Sequence, residues 1–115
     1  MFNYKTLSEL ECEFIPVAST DEIPIGARLF FEIDAEAIVV FNIAGSYFAI
    51  GDVCSHDDGP LGDGTLESEY EISCPRHGAH FDVRTGKALT LPATVDIPAY
   101  PVRVVDDQIE IGLPL

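Results

Sequence analysis

Residues 51–64 read GDVCSHDDGPLGDG, and ten residues later residues 74–86 read CPRHGAHFDVRTG. The first stretch holds four glycines and four aspartates and has nothing that would bury an apolar face. A polar, glycine-rich stretch of this length inside a compact domain is expected to bind something. It carries Cys54 and His56, and the second stretch carries Cys74 and His77. A Cys-x-His step and a Cys-x-x-His step therefore stand on two loops. The segment between them contains a candidate strand, 69–73, and a hairpin returning through it would bring the loops together. Two thiolates and two imidazoles converging in this way suit a tetrahedral borderline metal or an iron–sulfur cluster.

The flanks read as short strands. Candidate strands are 13–18, 28–33, 37–42, 46–50, 69–73, 80–83, 101–105 and 108–111, each bounded by turn residues. Asp34-Ala35-Glu36, Ala44-Gly45 and Asp106-Asp107 fall between pairs of them and predict hairpins with short loops. Nine glycines and eight prolines are scattered through the chain, and few windows free of them have helical periodicity. Residues 7–11 allow one helical turn, with Ser8 as its cap. The expectation is an all-β fold.

At 115 residues with 47% hydrophobic composition, one domain with a real core is expected. The formal charge is -14, from 20 acidic and 6 basic residues. Such a chain would be repelled by nucleic acid and by anionic membranes, and it suits docking onto basic protein surfaces. No apolar run approaches a membrane helix, and the N-terminus lacks the pattern of a secretory signal. Three widely spaced cysteines, Cys12, Cys54 and Cys74, do not make a disulfide framework, so a reducing cytoplasm is expected. No Ser-His-Asp arrangement, phosphate loop or dinucleotide fingerprint is present.

Cys54-x-His56, seventeen residues, then Cys74-x-x-His77 resembles the signature of Rieske [2Fe–2S] proteins. Pro75, Gly78, Phe81-Asp82 and Thr85-Gly86 match the rest of the family's second-loop run. Leu61 and Gly64 match its first loop, and Leu91-Pro92-Ala93 resembles the proline loop that closes over the cluster. The likeness runs from about residue 13 to residue 113. It implies an antiparallel β-sandwich base, residues 12–50 and 85–115, with an inserted cluster-binding subdomain at about 51–84. Residues 1–11 form an extension outside the pattern. The resemblance also implies one [2Fe–2S] cluster, with Cys54 and Cys74 on one iron and His56 and His77 on the other. Gly59, Leu61, Pro75, Gly78, Ala79, Phe81 and Pro92 would support the loops around it. With neutral histidines the oxidised site would sum to zero charge, whereas four cysteines would add two negative charges. A neutral site accepts an electron more readily.

Absent features narrow the resemblance. Quinol-oxidising members carry an extra cysteine in each loop, where this chain has Gly59 and Arg76, and they have a membrane anchor. They also carry a serine and a tyrosine whose hydroxyls donate to cluster and cysteine sulfurs, where this chain has Ala79 and Phe81. Losing both donors implies a low potential. Terminal oxygenases of the family continue into a large catalytic domain, for which a chain ending at Leu115 leaves no room. The remaining likeness is to the stand-alone ferredoxins of bacterial multicomponent dioxygenases. These monomeric, non-catalytic carriers pass electrons from a flavoprotein reductase to a terminal oxygenase. Two alternatives stand beside this. One is a small Rieske-type subunit or accessory module of a larger redox enzyme, related to nitrite reductase or iron–sulfur assembly. The other is a zinc-stabilised Cys₂His₂ interaction module.

Other residues have simpler expectations. His80 is expected at the surface or in a cap, and Cys12 as a buried or free thiol. Asp57 and Asp58 form a solvated turn or an acidic docking rim. Arg76 and Arg84 are placed to pair with that turn, and Asp82 to accept backbone hydrogen bonds at the loop base.

Overall fold

The computed structural model describes residues 12–53, 61–75, 78–91 and 95–114. Ten strands run in order: β1 (Cys12–Ser19), β2 (Arg28–Ile33), β3 (Glu36–Ile43), β4 (Ser46–Gly51), β5 (Thr65–Ser68), β6 (Glu71–Ser73), β7 (His80–Asp82), β8 (Ala99–Tyr100), β9 (Val102–Val105) and β10 (Gln108–Pro114). They form three antiparallel sheets, ordered β1-β10-β9, β2-β3-β4-β8 and β5-β6-β7. One 3₁₀ turn, Thr20–Glu22, follows β1. The proposed helical turn at residues 7–11 lies outside the described residues.

The three expected hairpins form. Asp34 and Ala35 turn β2 into β3 with φ of 52° and 66°. Ala44 and Gly45 turn β3 into β4 at 56° and 93°, and Asp106 and Asp107 turn β9 into β10 at 50° and 64°. Two successive residues at positive φ make turns whose twist matches that of the strands they join. The second pair of β-rich runs differs from expectation. Residues 69–70 form a turn rather than strand, because Thr65–Ser68 supplies β6 with a partner and the chain must reverse between them. Pro101 stands between two strands rather than within one. It has no N–H to give a ladder, and at this point the chain passes from the four-stranded sheet to the sheet of β1, β10 and β9. Its carbonyl accepts from Gly112 N–H at 2.8 Å.

The four-stranded sheet is the middle layer. Along β3, Ile38 and Val40 join Ala49, Tyr100, Ile109 and Ile111 in one apolar core, with Ile23 beside them. Val39 and Phe41, on the opposite face, join Ile50, Ile72, Phe81, Val83, Ile97 and Ala99 in a second core. This is why residues 38–42 are all buried, where a one-faced strand would alternate. Asn42 is the one buried polar side chain among the described residues. Its amide donates to Ile23 O at 2.8 Å and its carbonyl accepts from Gly45 N–H at 2.9 Å.

Candidate metal centre

The second core carries the candidate site. Cys74 directly follows β6, is only 2% exposed, and belongs to the same apolar cluster as Val39, Phe41, Leu61 and Ala79. Its thiol is not in a disulfide. The turn after it is closed by its own backbone. Cys74 N–H donates to Ala79 O at 2.7 Å, and Gly78 N–H donates to Cys74 O at 3.0 Å, with Gly78 at a φ of 74°. Pro75 and Gly78 are exposed, whereas Ala79 and Phe81 are fully buried beneath the turn. A sulfur donor held at the foot of a closed turn and shielded by apolar side chains suits an iron–sulfur cluster. The thiolate side of such a cluster must be kept from water.

The first loop is anchored at both ends. Asp52, just past β4, accepts from Leu61 N–H at 3.0 Å and from Gly62 N–H at 2.5 Å. Arg28, from β2, donates to Gly62 O at 2.6 Å and Gly64 O at 2.8 Å, with its guanidinium 4.9 Å from the centre of the Phe41 ring. Leu61 is fully buried. This corrects the expectation that residues 51–64 contain nothing that buries an apolar face: the loop's exit is nailed into the core by one leucine. Gly64 then passes so close to the second loop that a Cβ there would lie 1.9 Å from Ser73 O. Any side chain would force apart the two segments that carry the motif. The expected hairpin between the loops, β5–β6, makes this contact.

A third segment, described at residues 86–91 and 95–97, is tied together at its base. Ile97 N–H donates to Gly86 O at 2.8 Å, and Ala88 N–H donates to Asp96 Oδ1 at 2.8 Å, closing its base. Gly86 has a φ of 78°, and a Cβ on it would lie 2.0 Å from Ile97 O. Leu91, in the expected proline loop, is 78% exposed. Cys54, His56, Gly59, His77 and Pro92 lie outside the described residues, as do Asp57, Asp58 and Arg76. Of the four expected ligands, Cys74 alone is within them.

Other expectations resolve clearly. Asp82 accepts Arg84 N–H at 2.8 Å and takes two further bonds from the Arg84 side chain, so its role is structural. Arg84 is therefore engaged beside its own turn, and it also lies 4.3 Å over the Tyr70 ring. The Asp82 carboxylate raises its pKa above the usual arginine value. The expected pairing with residues 57–58 lies outside the described residues. His80 is half-buried on β7, its Nδ1 against the Glu71 carboxylate. Cys12 is buried at the first position of β1. Sequence reading missed Arg28 and Asp52.

Comparison with known proteins decides the family. Residues 13–101 match the model of the Rieske [2Fe-2S] domain. The chain belongs to that family. The cofactor of a Rieske domain is one [2Fe–2S] cluster. The chain is 42% identical over 99 residues to the 3-phenylpropionate/cinnamic acid dioxygenase ferredoxin subunit of Shigella boydii serotype 4 (strain Sb227). The match spans 86% of this chain and 90% of that Rieske protein. It is also similar to the ferredoxin of carbazole 1,9a-dioxygenase from Nocardioides aromaticivorans IC177. There the TM-score is 0.79 at 34% identity, covering 85% of this chain and 95% of the other. A further Rieske relative is the ferredoxin seen in a complex of reduced oxygenase and oxidized ferredoxin in carbazole 1,9a-dioxygenase. Its TM-score is 0.77 at 26% identity, covering 85% and 91% of the two chains. No helix among the described residues is long and apolar enough to cross a membrane.

Proposed function

We propose that this chain is the ferredoxin component of an aromatic-ring dioxygenase system, a non-catalytic electron carrier between a flavoprotein reductase and a terminal oxygenase. The observation that carries the reading is the match to dioxygenase ferredoxin subunits along nearly the full length of both chains. Such a match leaves little room for a separate catalytic domain within the aligned length. The whole chain is read as a single domain, acting in the cytoplasm as a monomer. The base is residues 12–50 and 85–115, the cluster-binding subdomain is about 51–84, and residues 1–11 are an extension.

In this reading Cys54 and Cys74 hold one iron and His56 and His77 the other. The cluster supplies a one-electron couple. The protein's own residues do the rest. Asp52, Arg28 and the close approach at Gly64 hold the first loop against the second. Leu61, Ala79 and Phe81 exclude water from the cysteine side. The Gly86–Ile97 closure positions the third segment over the site. Gly59, Pro75, Gly78 and Pro92 shape the loops. Ala79 and Phe81 offer no hydroxyl to a sulfur, which supports a low potential.

The test is direct. The purified protein should be red-brown, be reduced by a flavoprotein reductase, and be reoxidised by an oxygenase component without turning over substrate alone. Cys74→Ser should lose the visible absorbance and the paramagnetic resonance of the reduced protein. A colourless wild type holding zinc would overturn the cluster reading. A coloured protein that co-purifies stoichiometrically with one large enzyme would favour a fixed subunit over a carrier.

A further inference from the structure

Three of the six basic residues, Arg28, Arg84 and Arg103, have described partners, and they are used in two different ways. Arg84 and Arg103 each meet a carboxylate, Asp82 at 3.0 Å and Glu110 at 2.7 Å, and each lies over an aromatic ring. Arg28 also lies over a ring, but both of its hydrogen bonds go to backbone carbonyls, Gly62 O and Gly64 O. No carboxylate among the described residues lies within ion-pair distance of it. In a chain with 20 acidic side chains, Arg28 thus meets no paired carboxylate among the described residues. It stands where the first loop rejoins the fold, one backbone contact from Ser73 and so next to the strand that delivers Cys74.

We propose that Arg28 is a positioning residue for the cluster with two separable actions. Its guanidinium, donating twice through Nη1 opposite Asp52, fixes the exit of the first loop against the second. Its charge, in direct ion-pair contact with no described carboxylate, stabilises the added electron, and so raises the reduction potential above what the surrounding acidic protein would otherwise set. The mechanics follow from geometry. Asp52 takes the N–H groups of residues 61 and 62 and Arg28 donates to the carbonyls of residues 62 and 64, so three of these four residues are pinned and Gly62 is held from both sides. A lysine could supply the charge but not the planar guanidinium that lies over Phe41 and aims Nη1 at both carbonyls. The electrostatics follow from partial burial, since a half-buried charge is screened by salt far less than an exposed one. This inference rests on the cluster assignment above, whose failure would be visible beforehand as a colourless wild type.

The experiment uses the holo full-length chain and three proteins: wild type, Arg28→Lys and Arg28→Gln. Two quantities are read, the midpoint potential by voltammetry at high ionic strength and the half-life of the visible cluster spectrum under an iron chelator. Arg28→Gln should lower the potential, shifting the reduced-to-oxidised ratio several-fold toward the oxidised form, and should shorten the half-life severalfold. Arg28→Lys should keep the wild-type potential yet still shorten the half-life. A potential unchanged in Arg28→Gln with the cluster intact would overturn the electrostatic action. A half-life unchanged in both variants would overturn the positioning action. If Arg28→Gln does not fold, the half-life of Arg28→Lys decides that action. The charge is then decided by Arg28→citrulline, which keeps a terminal NH₂ donor without the charge: a lowered potential is expected, and a wild-type potential with the cluster intact would overturn the electrostatic action.

Discussion

The residues proposed to hold iron are legible in sequence because their chemistry is carried by side-chain type and spacing. The residues that hold the loops are not. Arg28 and Asp52 act on backbone atoms, Arg28 at separations of 34 and 36 residues, and a carbonyl acceptor leaves no trace in residue type. Gly64 was legible as a motif glycine, but the reason for it, Ser73 O pressed against its Cα, appears only in three dimensions. Ala79 and Phe81 allow a test of the potential at this scale. Both are fully buried in the core that contains Cys74. Ala79→Ser should raise the potential, because a hydroxyl there can donate to a sulfur that becomes more negative on reduction. A bond to a charged group is worth roughly 1.5–3 kcal/mol, and about half of that differs between redox states. With about 59 mV per tenfold for one electron, the expected rise is some tens of mV. Phe81→Tyr should raise it less, and at some cost in stability if its hydroxyl finds no sulfur. Voltammetry of both variants at one pH decides, and a fall in Ala79→Ser with the cluster intact would show that position 79 does not face a sulfur.

At the scale of elements, hairpins were the most legible feature and the short strands the least. β2, β3, β4 and β10 announce themselves by runs of β-branched and aromatic residues between turn signals. β5 and β8 do not. Thr65–Ser68 is polar and Ala99–Tyr100 has two residues, so each owes its conformation to a neighbour rather than to its own composition. The turns bear strain that sequence alone only hinted at. Ala35 has a φ of 66°, which costs an L-residue with no polar side chain about 1–2 kcal/mol. Ala35→Gly should remove that strain and lose roughly 0.5–1 kcal/mol to chain entropy, for a net gain of about 0.5–1 kcal/mol. Thermal unfolding should then shift upward by a few degrees. The control is Ala37→Gly in the adjoining strand, which should shift it downward. Equal effects at the two positions would contradict the turn geometry.

Over the whole molecule, charge was legible and its arrangement was not. The excess of acid predicted repulsion from polyanions and attraction to basic partners. The structure adds that Arg84 and Arg103 are neutralised in place, so they do little to soften the field outside. Electron transfer to a reductase or oxygenase should therefore slow as salt rises, since steering acts over a Debye length of about 8–10 Å at 0.1–0.15 M. Stopped-flow rates between low and physiological ionic strength test this, and rates flat across that range would argue against an acidic docking face. The layered arrangement was also hidden. A base with an insertion was expected from the resemblance, and the strands do divide that way. Yet the middle sheet lends one face to each half, so the two halves share a wall rather than a linker.

That shared wall removes a safeguard most half-buried strands possess. When one face meets solvent, sliding a strand by one position exposes its apolar set, and water itself enforces alignment. β3 carries Ile38, Val39, Val40 and Phe41 in succession, so a slide would exchange one apolar side chain for another and meet little resistance from hydration. The strand needs a different index mark, and Asn42 supplies it. Moved by one position, its amide would leave Ile23 O and Gly45 N–H behind and enter the opposite core with no partner, a loss of about 1–3 kcal/mol for each buried group left unsatisfied. A single polar side chain thus tells the sheet which of its two faces belongs to the base and which to the cluster.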